Sequence, residues 1–270
     1  MSKLAAVAAQ EIIIDIGRMP VQVHSESPEF LCMLEARYSG YVSPSAHPIA
    51  EIDIDLVPPG KITEQADIAV SFKSGRWLIE RGDLRAEWEP ISRLGRITQS
   101  ANPYSIDAAL RIIHSLILVQ EGGLLVHAAS AVRNGNAFLF AGISGAGKTT
   151  ISRLAPPDAT LLTDEISYLR RNENDYVAYG TPFAGELAEP GENIQAPLAA
   201  LYLLKQGPQN SIEPLRESEA VRLLLENVLF FANDEHLVAQ VFESVCDLIR
   251  QIPVYQLTFY PDERVWELIQ

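Results

Sequence analysis

The sequence predicts a mixed α/β fold in two parts: a β-rich module followed by an α/β domain built on a mixed sheet. Three observations predict it. Short strands separated by turn residues fill about the first hundred positions. Apolar residues at helical spacing follow over Ser105–Glu121 and stop at Gly122-Gly123. The motif G-x-x-x-x-G-K-[ST] then stands at Gly142-Ile-Ser-Gly-Ala-Gly-Lys148-Thr149, directly after the apolar run Ala137–Ala141. The expected parts are residues 1–104 and 105–270.

In the first part the strands are Glu11–Ile16, Val21–His24, Glu51–Leu56, Ile68–Phe72, Trp77–Glu80 and Leu84–Trp88. Gly17, Pro58-Pro59-Gly60, Ser74-Gly75 and Gly82 punctuate them, and one helix interrupts them over Glu29–Tyr38. His24, His47 and Cys32 stand apart from one another, so this part carries no constellation for catalysis or metal binding.

The second part opens on the Ser105–Glu121 helix. Leu124–Val132 reads as a strand, Asn134-Gly135 as a type I′ turn and Ala137–Ala141 as the returning strand, so an antiparallel hairpin feeds the glycine-rich loop. A short helix, Thr150–Leu154, ends at Pro156-Pro157. Ala159–Thr163 is the next strand. Ile166–Arg170 and Tyr176–Gly180 form a second hairpin around Asn172-Glu173-Asn174-Asp175. Thr181–Glu186 is loop, and Leu198–Lys205 is a strand. Helices follow at Glu217–Phe230 and Asp234–Ile252, and Val254–Tyr260 is the last strand.

With 270 residues, of which 47% are hydrophobic, the chain has material for a substantial core. Its formal net charge of −14 weighs against nucleic acid and anionic membrane as partners, because both require clustered Lys and Arg. Arg153, Arg170 and Arg171 could line a local basic rim or be solvated surface charges. No apolar run reaches the length of a membrane span, and the N-terminal stretch before Glu11 is too short for a secretory signal, so a cytoplasmic location is expected. Cys32 and Cys246 have no C-x-x-C partner, which speaks against a disulfide framework, a zinc site or a redox pair.

The loop carries the chemistry. Backbone N–H groups converge on phosphate oxygens only along a path that side chains would obstruct, which is why Gly142, Gly145 and Gly147 recur, with Ser144 and Ala146 between them. Lys148 can reach the β and γ phosphates, Thr149 can hold magnesium, and Thr150 continues into the short helix. Asp164 and Glu165, at the end of a downstream apolar strand, could divide the tasks of holding magnesium and accepting a proton. His127 lies mid-strand among apolar residues, either as a core histidine or as a proton-handling partner of the two acids. Glu186 is a candidate second metal-side carboxylate or a solvated loop acid.

The order Val126-His127-Ala128, hairpin, Gly142–Thr149 loop, short helix, Leu162-Thr163-Asp164-Glu165 resembles the catalytic domain of HPr kinase/phosphorylase and its relatives, over roughly Leu124–Tyr260. The resemblance implies a P-loop kinase domain, distantly similar to phosphoenolpyruvate carboxykinase, that uses ATP and magnesium. It implies that His127 is a site residue, Asp164 the base and Glu165 the metal-side acid. The second acid is Glu where the family has Asp, and the family's Glu-x-Arg-Gly-x-Gly segment has no counterpart. The Gly180–Glu186 loop instead looks like that of HPr-kinase-related proteins outside sugar transport, some of which phosphorylate a serine of a peptide precursor such as a lasso peptide. The expected function is therefore ATP-dependent phosphorylation of a serine on a peptide or small protein, with the β-rich module helping to grip the acceptor. A kinase of free serine or another metabolite, and a nucleotide-responsive peptide-binding protein with little turnover, remain alternatives. The sequence leaves room for a homo-oligomer.

Overall fold

The computed structural model describes residues 11–59, 68–173 and 175–269. The stretch before Glu11, Gly60 of the Pro58-Pro59-Gly60 turn and Asn174 of the polar turn lie outside the described residues. The chain divides into two compact units. One runs to Ile113 and takes in Phe231–Asn233; the other comprises His114–Phe230 with the chain from Asp234 onward.

The first unit holds β1 (Glu11–Ile16), β2 (Met19–Ser25), α1 (Pro28–Arg37), β3 (Ala50–Leu56), β4 (Ala69–Lys73), β5 (Arg76–Arg81), β6 (Leu84–Glu89) and β7 (Leu94–Gln99). They form one mixed sheet in the order β1-β2-β3-β7-β6-β5-β4. Period-two alternation decides which face is buried: Ala50, Ile52 and Ile54 of β3 and Leu84, Ala86 and Trp88 of β6 point inward, while Glu51, Asp53 and Asp55 point out. The Ser27 side chain caps α1 by accepting from the Phe30 N–H. Strand β7 was not expected from the sequence. Its apolar signal is thin because Gly95 replaces an inward side chain: a Cβ there would sit 3.3 Å from both Ile52 Cγ1 and Trp88 Cε3, so the Trp88 ring fills the volume instead.

Helix α2 (Pro103–Gln120) begins in the first unit and ends in the second. The second unit continues with β8 (Leu124–Arg133), β9 (Asn136–Ala141), α3 (Lys148–Arg153), β10 (Ala159–Thr163), β11 (Ile166–Asn172), β12 (Asp175–Tyr179), β13 (Gln195–Gln206) and β14 (Ser211–Pro214). It ends with α4 (Glu217–Leu225), α5 (Glu235–Gln251), β15 (Val254–Phe259) and a 3₁₀ turn, Glu263–Glu267. These strands form an eight-stranded mixed sheet, so both sheets among the described residues are mixed, as the α/β reading expects. The β8–β9 hairpin is antiparallel and turns at Asn134 and Gly135, both with positive φ, as a type I′ turn demands.

Helix α4 stops at Leu225, short of the expected Phe230, because the following backbone pairs with β8. The His127 N–H donates to the Asn227 carbonyl and the Leu229 N–H to the Leu125 carbonyl, both at 2.8 Å. The unexpected 3₁₀ turn has a packing role as well. Trp266 lies edge-on to Phe140, 5.4 Å between ring centroids, and its indole N–H donates to the Ile151 carbonyl at 3.1 Å, fixing α3 against the sheet.

Candidate functional site

Strand directions bring the chemistry-bearing residues to one edge of the second sheet. β9, β13 and β15 run parallel, so the chain leaves them on the same side, at Ala141, Gln206 and Phe259. That is where ligands bind in open α/β sheets. β8 is antiparallel to β9 with Ala128 opposite Ala141, which puts His127 at that edge. β10 is antiparallel to β8 and arrives there with Thr163-Asp164-Glu165; the Ala128 N–H donates to the Glu165 carbonyl at 3.1 Å.

The loop from Gly142 to Gly147 is held open by its glycines. Gly145 and Gly147 have φ of 77° and 113°. A Cβ on Gly147 would also lie 2.3 Å from Phe259 Cε1, so no other residue fits between the loop and β15. On the other side Gln206 Nε2 donates to the Gly145 carbonyl at 2.7 Å. Lys148 is 8% exposed and its ammonium donates to the Gly142 carbonyl at 2.8 Å. Burial lowers the Lys148 pKa, and the charges of Glu165 and Glu186 partly offset that shift.

A cavity of about 730 Å³ opens beside the loop. Of the residues singled out in the sequence, Ser144, Gly145, Gly147, Lys148, Thr149 and Thr150 line it. So do His127, Glu165 and Glu186, and in that wall His127 Nε2 and Glu165 Oε1 are 3.6 Å apart. Gly142 and Ala146 are not among the lining residues; they pack on each other, since a Cβ on Gly142 would be 2.8 Å from the Ala146 Cβ.

Asp164 is placed differently from its neighbour. It is 3% exposed, and its two carboxylate oxygens accept the backbone N–H groups of Gly185 at 2.8 Å and Leu187 at 3.0 Å. The carboxylate thus holds the segment that carries Glu186, one layer behind the cavity wall. Thr163 builds the corner between the two acids: its hydroxyl oxygen accepts from the N–H groups of Glu165 and Ile166 at 3.1 Å and donates to the Phe183 carbonyl. Gly185 packs closely on both acids: a Cβ there would stand 2.7 Å from Glu165 Oε2 and 2.9 Å from Asp164 Oδ2, so a larger residue would displace the two carboxylates.

Sequence reading passed over Thr163, Gly185, Gln206 and Tyr260. The Gly at 185 beside Glu186 was a usable signal; the others are polar or aromatic residues at strand ends, indistinguishable from ordinary surface positions before the strands are ordered. Among the described residues no three His, Cys, Asp or Glu side chains gather closely enough to hold a metal by themselves. Thr149, Glu165 and Glu186 nonetheless face one cavity, a donor set that suits magnesium, which binds through one or two carboxylates, phosphate oxygens and water.

Among the described residues no helix is long and apolar enough to cross a membrane. No curated protein matches the chain. A solved structure, described as the Hpr(Ser) kinase/phosphatase from Coxiella burnetii, is similar at 13% identity and a TM-score of 0.30, covering 54% of this chain and 85% of that one. The family model described as SynChlorMet cassette protein ScmC matches residues 98–270, which take in the loop, the carboxylates and every strand of the second sheet. The chain belongs to the ScmC family.

Proposed function

We propose that the protein is a kinase that uses ATP and magnesium to transfer the γ-phosphoryl group to a serine hydroxyl on a peptide or small protein. The observation that carries this reading is the shared cavity: a glycine loop with Lys148 and Thr149 faces His127, Glu165 and Glu186 across about 730 Å³. Phosphoryl transfer asks of a protein little beyond positioning and charge stabilisation, and those residue types supply both. Backbone N–H groups of the loop and the Lys148 ammonium hold the phosphate oxygens. Thr149 and Glu186 hold magnesium, whose charge neutralises the phosphate chain when it is bound.

The family resemblance gives the proton to Asp164. The geometry favours Glu165, because Asp164 spends its carboxylate on the Gly185 and Leu187 N–H groups while Glu165 lines the cavity. In this reading Glu165 accepts the serine hydroxyl proton, and His127, 3.6 Å from Glu165 Oε1, orients the carboxylate. Asp164 acts through the loop it holds. Incubating the protein with ATP, magnesium and serine-containing peptides encoded beside its gene, then reading phosphoserine by mass spectrometry, tests the reading. Phosphate incorporation that depends on Lys148 is expected; phosphate appearing only on a free metabolite would replace the peptide acceptor with a small molecule.

A further inference from the structure

The cavity is chemically lopsided. Every titratable side chain outside the loop that could take part in phosphoryl transfer stands on the β8–β10 flank: His127, Glu165 and Glu186. The flank formed by the ends of β13 and β15 contributes Gln206, Gly207, Phe259, Tyr260 and Pro261, none of them charged. The loop lies between the two, tied to the uncharged flank by the Gln206 bond to the Gly145 carbonyl and by Phe259 against Gly147. A nucleotide that lies along the cavity with its terminal phosphate at Glu165 places its other end at the β13–β15 flank. The volume, about 730 Å³, lies in the range of roughly 300–1,000 Å³ that pockets for whole small-molecule ligands occupy, which leaves room beyond a phosphate chain.

Tyr260 is the aromatic surface at that end. Tyr260 as a residue is 52% exposed while Phe259 beneath the loop is 3% exposed, and the Tyr260 backbone is held because its N–H donates to Asn210 Oδ1 at 2.8 Å. An exposed ring on a fixed backbone is what a flat heterocycle stacks on. Gln206 adds direction. A carbonyl can only accept, so the amide nitrogen must face Gly145, and Oε1 is left as an acceptor with no hydrogen-bond donor among the described residues. That acceptor suits the 6-amino group of adenine; guanine carries a carbonyl at that position, and the amide nitrogen that could donate to it is already spent on Gly145.

We propose that the β13–β15 flank is a nucleobase subsite, with adenine stacked on Tyr260 and its amine turned to Gln206 Oε1. The assignment rests on the kinase reading, since the position of the terminal phosphate orients the ligand. Calorimetric titration of the full chain with ATP, GTP and inorganic tripolyphosphate, each with magnesium, tests it. Wild type is expected to bind ATP at least tenfold more tightly than tripolyphosphate and more tightly than GTP. Tyr260→Ala is expected to lower ATP affinity about tenfold and leave tripolyphosphate affinity unchanged, with Tyr260→Phe close to wild type. ATP and tripolyphosphate binding equally in wild type, or both weakening together in Tyr260→Ala, would overturn the subsite while leaving the phosphate loop standing. Equal affinity for ATP and GTP would overturn the adenine assignment. Absence of binding by all three would overturn the kinase reading and the subsite with it.

Discussion

At the residue scale the two adjacent acids make the sharpest contrast. Asp164→Asn keeps the shape but offers one acceptor oxygen where two N–H groups are held, so one backbone donor is left facing an amide NH₂. We expect it to cost about 1–3 kcal/mol of stability and to weaken nucleotide binding as the Gly185–Leu187 segment loosens. Glu165→Gln should leave thermal unfolding near wild type and lower turnover by roughly 10² to 10⁴. An Asp164→Asn protein that melts like wild type and binds ATP normally yet is inactive would return the proton to Asp164. Lys148→Ala should remove most transfer, a loss of about 2–4 kcal/mol of transition-state stabilisation, with circular dichroism unchanged. Unaltered turnover in that variant would end the kinase reading.

At the scale of elements, two contacts matter, one at the glycine loop and one in the core. The first is the loop against β15. Gly147→Ala places a Cβ 2.3 Å from Phe259 in a backbone with φ of 113°, so the loop must move. A drop of more than about tenfold in nucleotide affinity, with the fold retained, is expected from strain of this kind. Normal affinity would show that the loop accommodates the change. The second is the end of α2 against β11. His114 is fully buried with its Nδ1 2.9 Å from the Tyr168 hydroxyl, and burial, with a smaller contribution from Arg170, pushes its pKa from 6.5 down to about 3. The depressed value means that the unfolded chain takes up a proton below pH 6.5 that the folded chain refuses. This contribution to stability is whole above pH 6.5 and is lost as pH falls toward 3. Between pH 6.5 and 5 it amounts to on the order of 2 kcal/mol. Urea unfolding across that interval should show the slope in wild type and a flatter one in His114→Gln; identical slopes would remove His114 from the account.

For the whole molecule, the net charge of −14 predicts no measurable affinity for duplex DNA or RNA at physiological salt, a negative result that fluorescence anisotropy would check. Several features are local and could be read without the fold. The Gly142–Thr149 motif, the Asn134-Gly135 turn, the alternation that buries one face of β3 and β6, and most strand and helix spans depend on neighbours within a few residues. Period two, period 3.6 and turn chemistry are properties of short segments. What the sequence could not yield depends on partners distant in the chain. Strand β7 needs Trp88 and Ile52 to explain its glycine, and the early end of α4 follows from backbone bonds to β8, a hundred residues away by number. Of the candidate site, the identity of the loop, Lys148, Thr149 and the acidic pair stood in the sequence; the division of labour between Asp164 and Glu165 did not. The two are adjacent and chemically alike, and only the path of the 185–187 segment decides which carboxylate is consumed by backbone N–H groups and which faces the cavity. The same holds for Gln206 and Tyr260, ordinary residues at strand ends until the parallel order of β9, β13 and β15 sets them beside the loop. Local pattern determined the parts and the presence of the G-x-x-x-x-G-K-[ST] motif; strand order, a long-range property of the folded chain, decided which residues share the candidate site.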